Sequence, residues 1–154
     1  MVLTFGWESI RVIAAEPNLR DMMSEMYEEL GRFREISPIV PDFARMMHME
    51  DLGIFQVWAA RTEHGLLAGW IELHICPHIH CATTLWAFDS GHYLSPAFRG
   101  NGFAWVRMWR TAMAALKERG VKLLAAHDNA QRPLDVVFRR LGAEVTGTLY
   151  AMVL

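Results

Sequence analysis

Apolar residues recur along this chain first at helical and then at strand-like spacing, and the breaks between runs fall at glycine and proline. After a short apolar segment around residues 10–14, Pro17 and Asn18 open a run of helix formers over 19–30, with Gly31 behind it as a stop. Pro38 and Pro41 interrupt the chain, and Asp42 is placed to cap a second helix from Phe43 to about Asp51, ending near Gly53. Residues 55–61 and 66–76 read as strands joined by the hairpin turn Thr62-Glu63-His64-Gly65, and 83–94 reads as the third strand of the same meander. Pro96 closes that strand. The chain then passes through Arg99-Gly100-Asn101-Gly102 into its best amphipathic helix, 103–119, with Val106, Trp109, Met113 and Leu116 as the apolar stripe and Gly120 as the stop. A short buried strand over 121–126, a helix from Pro133 to Leu141 and a strand over 143–154 complete the pattern. This order predicts an α/β (α+β) fold: a mixed, mainly antiparallel central sheet flanked by helices.

Composition narrows the picture. A chain of 154 residues fits one domain, and a hydrophobic share of 53% against 21% charged is that of a folding globular chain. A formal charge of −2 supplies no basic field for nucleic acid. The N-terminus lacks a basic region followed by an apolar run, and no stretch approaches a membrane span, so a cytoplasmic location with reduced Cys76 and Cys81 is expected.

The segment Arg99-Gly100-Asn101-Gly102-Phe103-Ala104 joins a strand to a helix, where the first helical amides have no intrahelical acceptor. Those amides and the positive end of the helix dipole suit a phosphate, and Gly102 lets it approach without a side chain in the way. Arg-x-x-Gly-x-Ala, after a strand ending Tyr93-Leu94-Ser95-Pro96 and before a long amphipathic helix, resembles the pyrophosphate-binding signature of the GNAT acyltransferase superfamily. The resemblance covers nearly all the chain. Arg139-Arg140-Leu141-Gly142 is similar to the family's usual end of its last helix, and Pro77-His78-Ile79-His80 is similar to a feature of phage and prophage members.

The resemblance implies transfer of an acetyl group from acetyl-coenzyme A to an amine. It implies that the fourth and fifth strands splay apart and that pantetheine lies between them, against backbone near Tyr93, Leu94 and Ser95. The pyrophosphate would fall on residues 99–104, and Asn129 would correspond to the family's asparagine after the fifth strand. The tyrosine that family members use to protonate the departing thiolate aligns with Phe138, which has no proton to give. Proton arithmetic ranks the two needs. A thiol of pKa about 8.5 leaves as thiolate at neutral pH with a penalty of about 2 kcal/mol, whereas freeing an alkylamine of pKa near 10.4 costs about 4–5 kcal/mol. A base for the amine matters more than an acid for the thiolate, and Asp89, His92 and His127 are the candidates, with Tyr93 given mainly a main-chain role.

His74, Cys76, His78, His80 and Cys81 carry imidazole and thiolate, the preferred ligands of zinc and copper, but their spacing matches no common zinc module, and Pro77 is expected to break the strand alternation that would align them. No metal is expected there; the alternatives to the acetyltransferase reading are a catalytically weak cofactor-binding or regulatory protein on the same scaffold and a metal-dependent modifying enzyme built on this segment. Met22, Met23, Met26, Met46, Met47 and Met49 suit core or a homodimer interface, and Asp21, Glu25, Glu28 and Glu29 read as a solvated helix face.

Overall fold

A computed structural model of the chain describes residues 2–30, 35–100, 102–129, 133–147 and 152. Among the described residues, five strands and six helices follow in the order β1 (Leu3–Glu8), α1 (Ile10–Ala14), α2 (Leu19–Leu30), α3 (Phe43–Asp51), β2 (Phe55–Thr62), β3 (Leu67–His78), β4 (Cys81–Leu94), α4 (Pro96–Arg99), α5 (Phe103–Glu118), β5 (Leu123–Ala125) and α6 (Asp135–Arg140). The strands form one sheet in sequence order, β1 to β4 antiparallel and β5 parallel to β4. This is the mixed, helix-flanked sheet that the pattern predicts.

Both faces of the sheet are covered, which explains why its central strands read as near-continuous apolar runs. On one face Ile71, Leu73, Ala87 and Leu94 pack against Val106, Met108, Trp109, Ala112 and Leu116 of α5 and Val137 of α6. On the other, Val57, Ala59, Trp70 and Tyr93 pack against Ile10 and Ile13 of α1 and Leu19, Met22 and Met23 of α2. The methionines of α2 and α3 are therefore core material on that face, with Met26, Met46, Met47 and Met49 partly buried against it. No helix among the described residues is long and apolar enough to cross a membrane.

Local chemistry places several boundaries as expected. Asp42 caps α3, its Oδ1 accepting the Arg45 amide at 2.9 Å, and Gly53 follows the helix at φ +75°. Other boundaries differ. The apolar segment at residues 10–14 is a helix, and a first strand precedes it, paired along β2 from Leu3↔Thr62 to Glu8↔Val57. The buried stripe of α5 runs through Trp105, Val106, Met108, Trp109, Ala112 and Leu116, while Met113 is exposed, because the helix packs one residue round from the expected face. The short strand covers only Leu123–Ala125, the last helix starts at Asp135 rather than Pro133, and residues 143–147 are not strand. The rest of the expected final strand, except Met152, lies outside the described residues, as do Gly31 and Asn101.

Candidate active site

Strands β4 and β5 pair over only three positions, Trp86↔Leu123, Ala87↔Leu124 and Phe88↔Ala125, and then part. The parting coincides with a bulge: Asp89 pairs with Leu73 and Gly91 with Glu72, so Ser90 is an extra residue in β4. Without the bulge, Asp89 and His92 would point to opposite faces; with it they point to the same one. The His92 Nδ1 lies 2.8 Å and the His127 Nδ1 3.1 Å from one carboxylate oxygen, Asp89 Oδ2, while Oδ1 accepts the Gly91 amide at 3.1 Å. The two imidazoles thus meet on one carboxylate at the point where the strands diverge.

The Asp89 side chain has no solvent exposure. Its burial would by itself raise the carboxyl pKa, but the hydrogen bonds from His127 and His92 outweigh it and hold the group at about 2. His127, 43% exposed at its side chain, is shifted upward by the same hydrogen bond. His92 is buried, its ring packed edge-on against Trp105 at 5.6 Å, Trp109 at 5.5 Å and Phe138 at 6.2 Å. Phe138 therefore stands beside this group and offers it only carbon.

The loop after β4 is built to expose backbone. Pro96 opens the single turn α4, and Gly100 (φ +48°) and Gly102 (φ +85°) reverse the chain into α5. A side chain at either glycine would meet nothing within 4 Å, so backbone conformation rather than crowding demands glycine there. Arg99 is buried and turned inward: its Nε donates to the Leu94 carbonyl and its two terminal nitrogens pair with Glu29 at 3.0 and 2.8 Å. Phe103 is exposed and Ala104 packs against the α5-side core.

Ser95 donates its amide to the Ala68 carbonyl at 2.8 Å, and alternation along an antiparallel strand then turns the Tyr93 amide toward β3 and the His92 and Leu94 amides toward the opening. The Tyr93 ring lies on the α2 side, against Trp70 at 5.2 Å, and its hydroxyl donates to Glu25; burial and that carboxylate push its pKa up. Glu25 and Glu29 are accordingly not a solvated face, since they tie α2 to the end of β4. A cavity of about 180 Å³ occupies the opening, lined by Met26, Tyr27, Ser90, Gly91, His92, His127 and Asn129. A narrower one beside it reaches Tyr93, Arg99 and Trp105.

Two other features bear on the expectations. Strand β3 runs on through Pro77, which pairs with Leu85, and the register then shifts between Pro77 and His78, so the alternation breaks at the expected place. Beyond that shift the His78 ring lies tilted against Trp86, centroids 4.5 Å apart. Among the described residues, the metal-type donors that gather in a threesome are Asp89, His92 and His127, not the group from His74 to Cys81. Glu72, which no motif singles out, sits across from Gly91 with Trp70 Nε1 donating to its Oε1 at 3.0 Å. Burial raises its pKa to about 7, the Trp70 bond pulling it down and the Asp89 charge adding to the rise.

The sequence profile of the acetyltransferase (GNAT) family matches residues 17–143. A search of curated proteins finds no match. Among solved structures, glucosamine-6-phosphate N-acetyltransferase from Arabidopsis thaliana superposes with a TM-score of 0.73 at 11% identity, covering 99% of each chain. The aminoglycoside acetyltransferase meta-AAC0020 from an uncultured soil metagenomic sample, solved with sisomicin, gives 0.72 at 13% identity over 99% of this chain and 96% of that one. A predicted acetyltransferase from Clostridium acetobutylicum solved with acetyl-CoA gives 0.67 at 14% identity, with the same coverages. At these identities the likeness is one of fold.

Proposed function

The chain belongs to the acetyltransferase (GNAT) family, and from that premise we propose that it transfers the acetyl group of acetyl-coenzyme A directly to an amine, with no covalent enzyme intermediate. The observation that carries this reading is the opening between β4 and β5, with Asp89, His92 and His127 gathered at its apex and the glycine loop at its far end. Pantetheine would lie along the open edge of β4, with the thioester oxygen facing the His92 or Leu94 amide. Such preorganised donors contribute about 3–4 kcal/mol each to oxyanion stabilisation in acyl transfer. The pyrophosphate would rest on the loop and first turn of α5, residues 99–104, with Asn129 near the arm; Arg99 supports the loop from inside.

In the reaction the amine nitrogen bonds to the carbonyl carbon, the C–S bond breaks, the sulfur leaves as thiolate and the ammonium proton passes to a base. Asp89, held at about pKa 2, is too weak a base for that task and instead orients the imidazoles. His92 is the base, and half-exposed His127 carries the proton outward. A second reading, a cofactor-binding protein with little turnover, draws on Phe138 standing beside His92 in place of a proton donor.

Thermal melts with coenzyme A and acetyl-coenzyme A test the binding half. At a hundredfold excess over Kd the ligand adds about 2.7 kcal/mol, which raises Tm by roughly 5–10 °C in a chain of this size. Gly102→Val, which forces a branched residue into φ +85°, removes the rise. Absence of a shift for wild type at millimolar ligand refutes the reading. Mass spectrometry of candidate amines after incubation with labelled acetyl-coenzyme A then separates the enzyme from the binding protein.

A further inference from the structure

We propose that Asp89, His92 and His127 form a binding site for a divalent cation of the zinc type, and that its occupation shuts off acetyl transfer. The site stands on its own geometry; the inhibitory consequence rests on the acetyltransferase reading.

Two imidazoles converge on one atom. To orient a single histidine base a carboxylate needs one imidazole partner, yet here the Nδ1 atoms of His92 and His127 both aim at Asp89 Oδ2, at 2.8 and 3.1 Å. The three donor atoms all lie within 4.8 Å of one another. Around tetrahedral zinc, ligand atoms about 2.0–2.2 Å from the ion stand about 3.3 Å apart, so these two separations need to open by only a few tenths of an ångström. Two imidazoles and one carboxylate are also a donor set that leaves a fourth position open on zinc.

The surroundings suit a ligand cluster. Asp89 Oδ1 accepts the Gly91 amide at 3.1 Å, which fixes the carboxylate from behind and leaves Oδ2 to the imidazoles. The His92 ring is gripped by Trp105, Trp109 and Phe138, an apolar collar that sets its orientation. The other side is accessible: the His127 side chain is 43% exposed. The 180 Å³ cavity that it lines with His92, Ser90 and Asn129 offers an entry path and room for a water at the fourth position.

Binding takes the Nδ1 lone pairs, and any proton on those nitrogens passes to Nε2 of the same ring or to water. Bound metal thus removes the hydrogen bonds by which Asp89 orients the imidazoles. It also sets a positive charge at the apex of the opening, where the acceptor amine has to lose its proton. Metal and acetyl transfer exclude each other.

Titration of the full chain, stripped with a chelator and dialysed, tests the site without cofactor or acceptor. Wild type should bind one Co²⁺ with the visible absorption of nitrogen-ligated cobalt and give it up to Zn²⁺. It should ignore Mg²⁺ and Ca²⁺, which favour all-oxygen sites. His127→Ala, at a half-exposed position that folding tolerates, should weaken Zn²⁺ by about a hundredfold or more, since loss even of an outer-shell partner costs about 10–100-fold. Asp89→Asn should do the same, and His78→Ala and His80→Ala should change nothing. No saturable Zn²⁺ binding by wild type, equal affinity in His127→Ala, or loss of the ion in His78→Ala overturns the assignment. A protein that binds coenzyme A but no zinc refutes the metal site alone; one that binds zinc but no coenzyme A refutes the acetyltransferase reading, and with it the inhibitory consequence.

Discussion

Replacing Asp89 by asparagine removes the one charge on which both imidazoles converge, and its cost can be worked from the site. The carboxyl is held at about 2 against an ordinary 3.8, and its side chain has no solvent exposure to screen the effect. That displacement corresponds to about 2–3 kcal/mol favouring the charged, folded form. Because the folded pKa is depressed, the stabilisation is complete above about pH 4 and is lost as pH falls through about 2. His127 works in the opposite sense. Its pKa is raised, so its contribution is complete below about pH 6.5 and fades as pH climbs past its elevated folded value. The pair is therefore strongest between about pH 4 and 6.5. Thermal melts at pH 2.5, 5.5 and 8 should show Asp89→Asn lowered by roughly 5–10 °C at pH 5.5, by somewhat less at pH 8, and converging on wild type at pH 2.5. An equal deficit at pH 2.5 and 5.5 would show that asparagine disturbs packing rather than charge. No deficit at pH 5.5 would show that the carboxylate is not held as the geometry requires.

Once an acceptor is in hand, His92→Ala should lower turnover by roughly 10²–10⁴-fold near neutral pH, with partial recovery as rising pH deprotonates the amine. Tyr93→Phe should cost less than about tenfold, since its hydroxyl is spent on Glu25 on the α2 side; loss of turnover in Tyr93→Phe with His92→Ala tolerated would make that hydroxyl the proton carrier instead. Elemental analysis of dialysed protein should find less than one zinc, copper or iron per chain bound through the segment from His74 to Cys81, where the donors do not gather; one tightly held ion lost in His78→Ala would reverse this.

What the sequence discloses and what it hides follow from the range of the interactions involved. The α3 cap is legible because Asp42 bonds to an amide three residues away, and the glycine loop is legible because φ +85° at Gly102 is a property of one residue. The meander shows itself through apolar runs that two covered sheet faces require. Strand β1 carries a period-2 signal, Leu3, Phe5 and Trp7 alternating with Thr4, Gly6 and Glu8, but its shortness and central glycine weaken that signal, and pairing with β2 fixes it as extended. The acids of α2 read as a solvated face because their partners, Tyr93 and Arg99, lie about seventy positions away. The site itself turns on a single residue of register. Asp89 and His92 are three apart, which a regular strand places on opposite faces, and period-2 reasoning could therefore nominate each as a base but never as a pair. The Ser90 bulge brings them together. It also leaves Gly91 facing Glu72 on the other side of the strand, where the carboxylate packs close against the glycine. Deleting Ser90 should remove the bulge with Asp89 still opposite Leu73 and Gly91 still opposite Glu72, so that Asp89 and His92, now two apart, stay on one face of a regular strand.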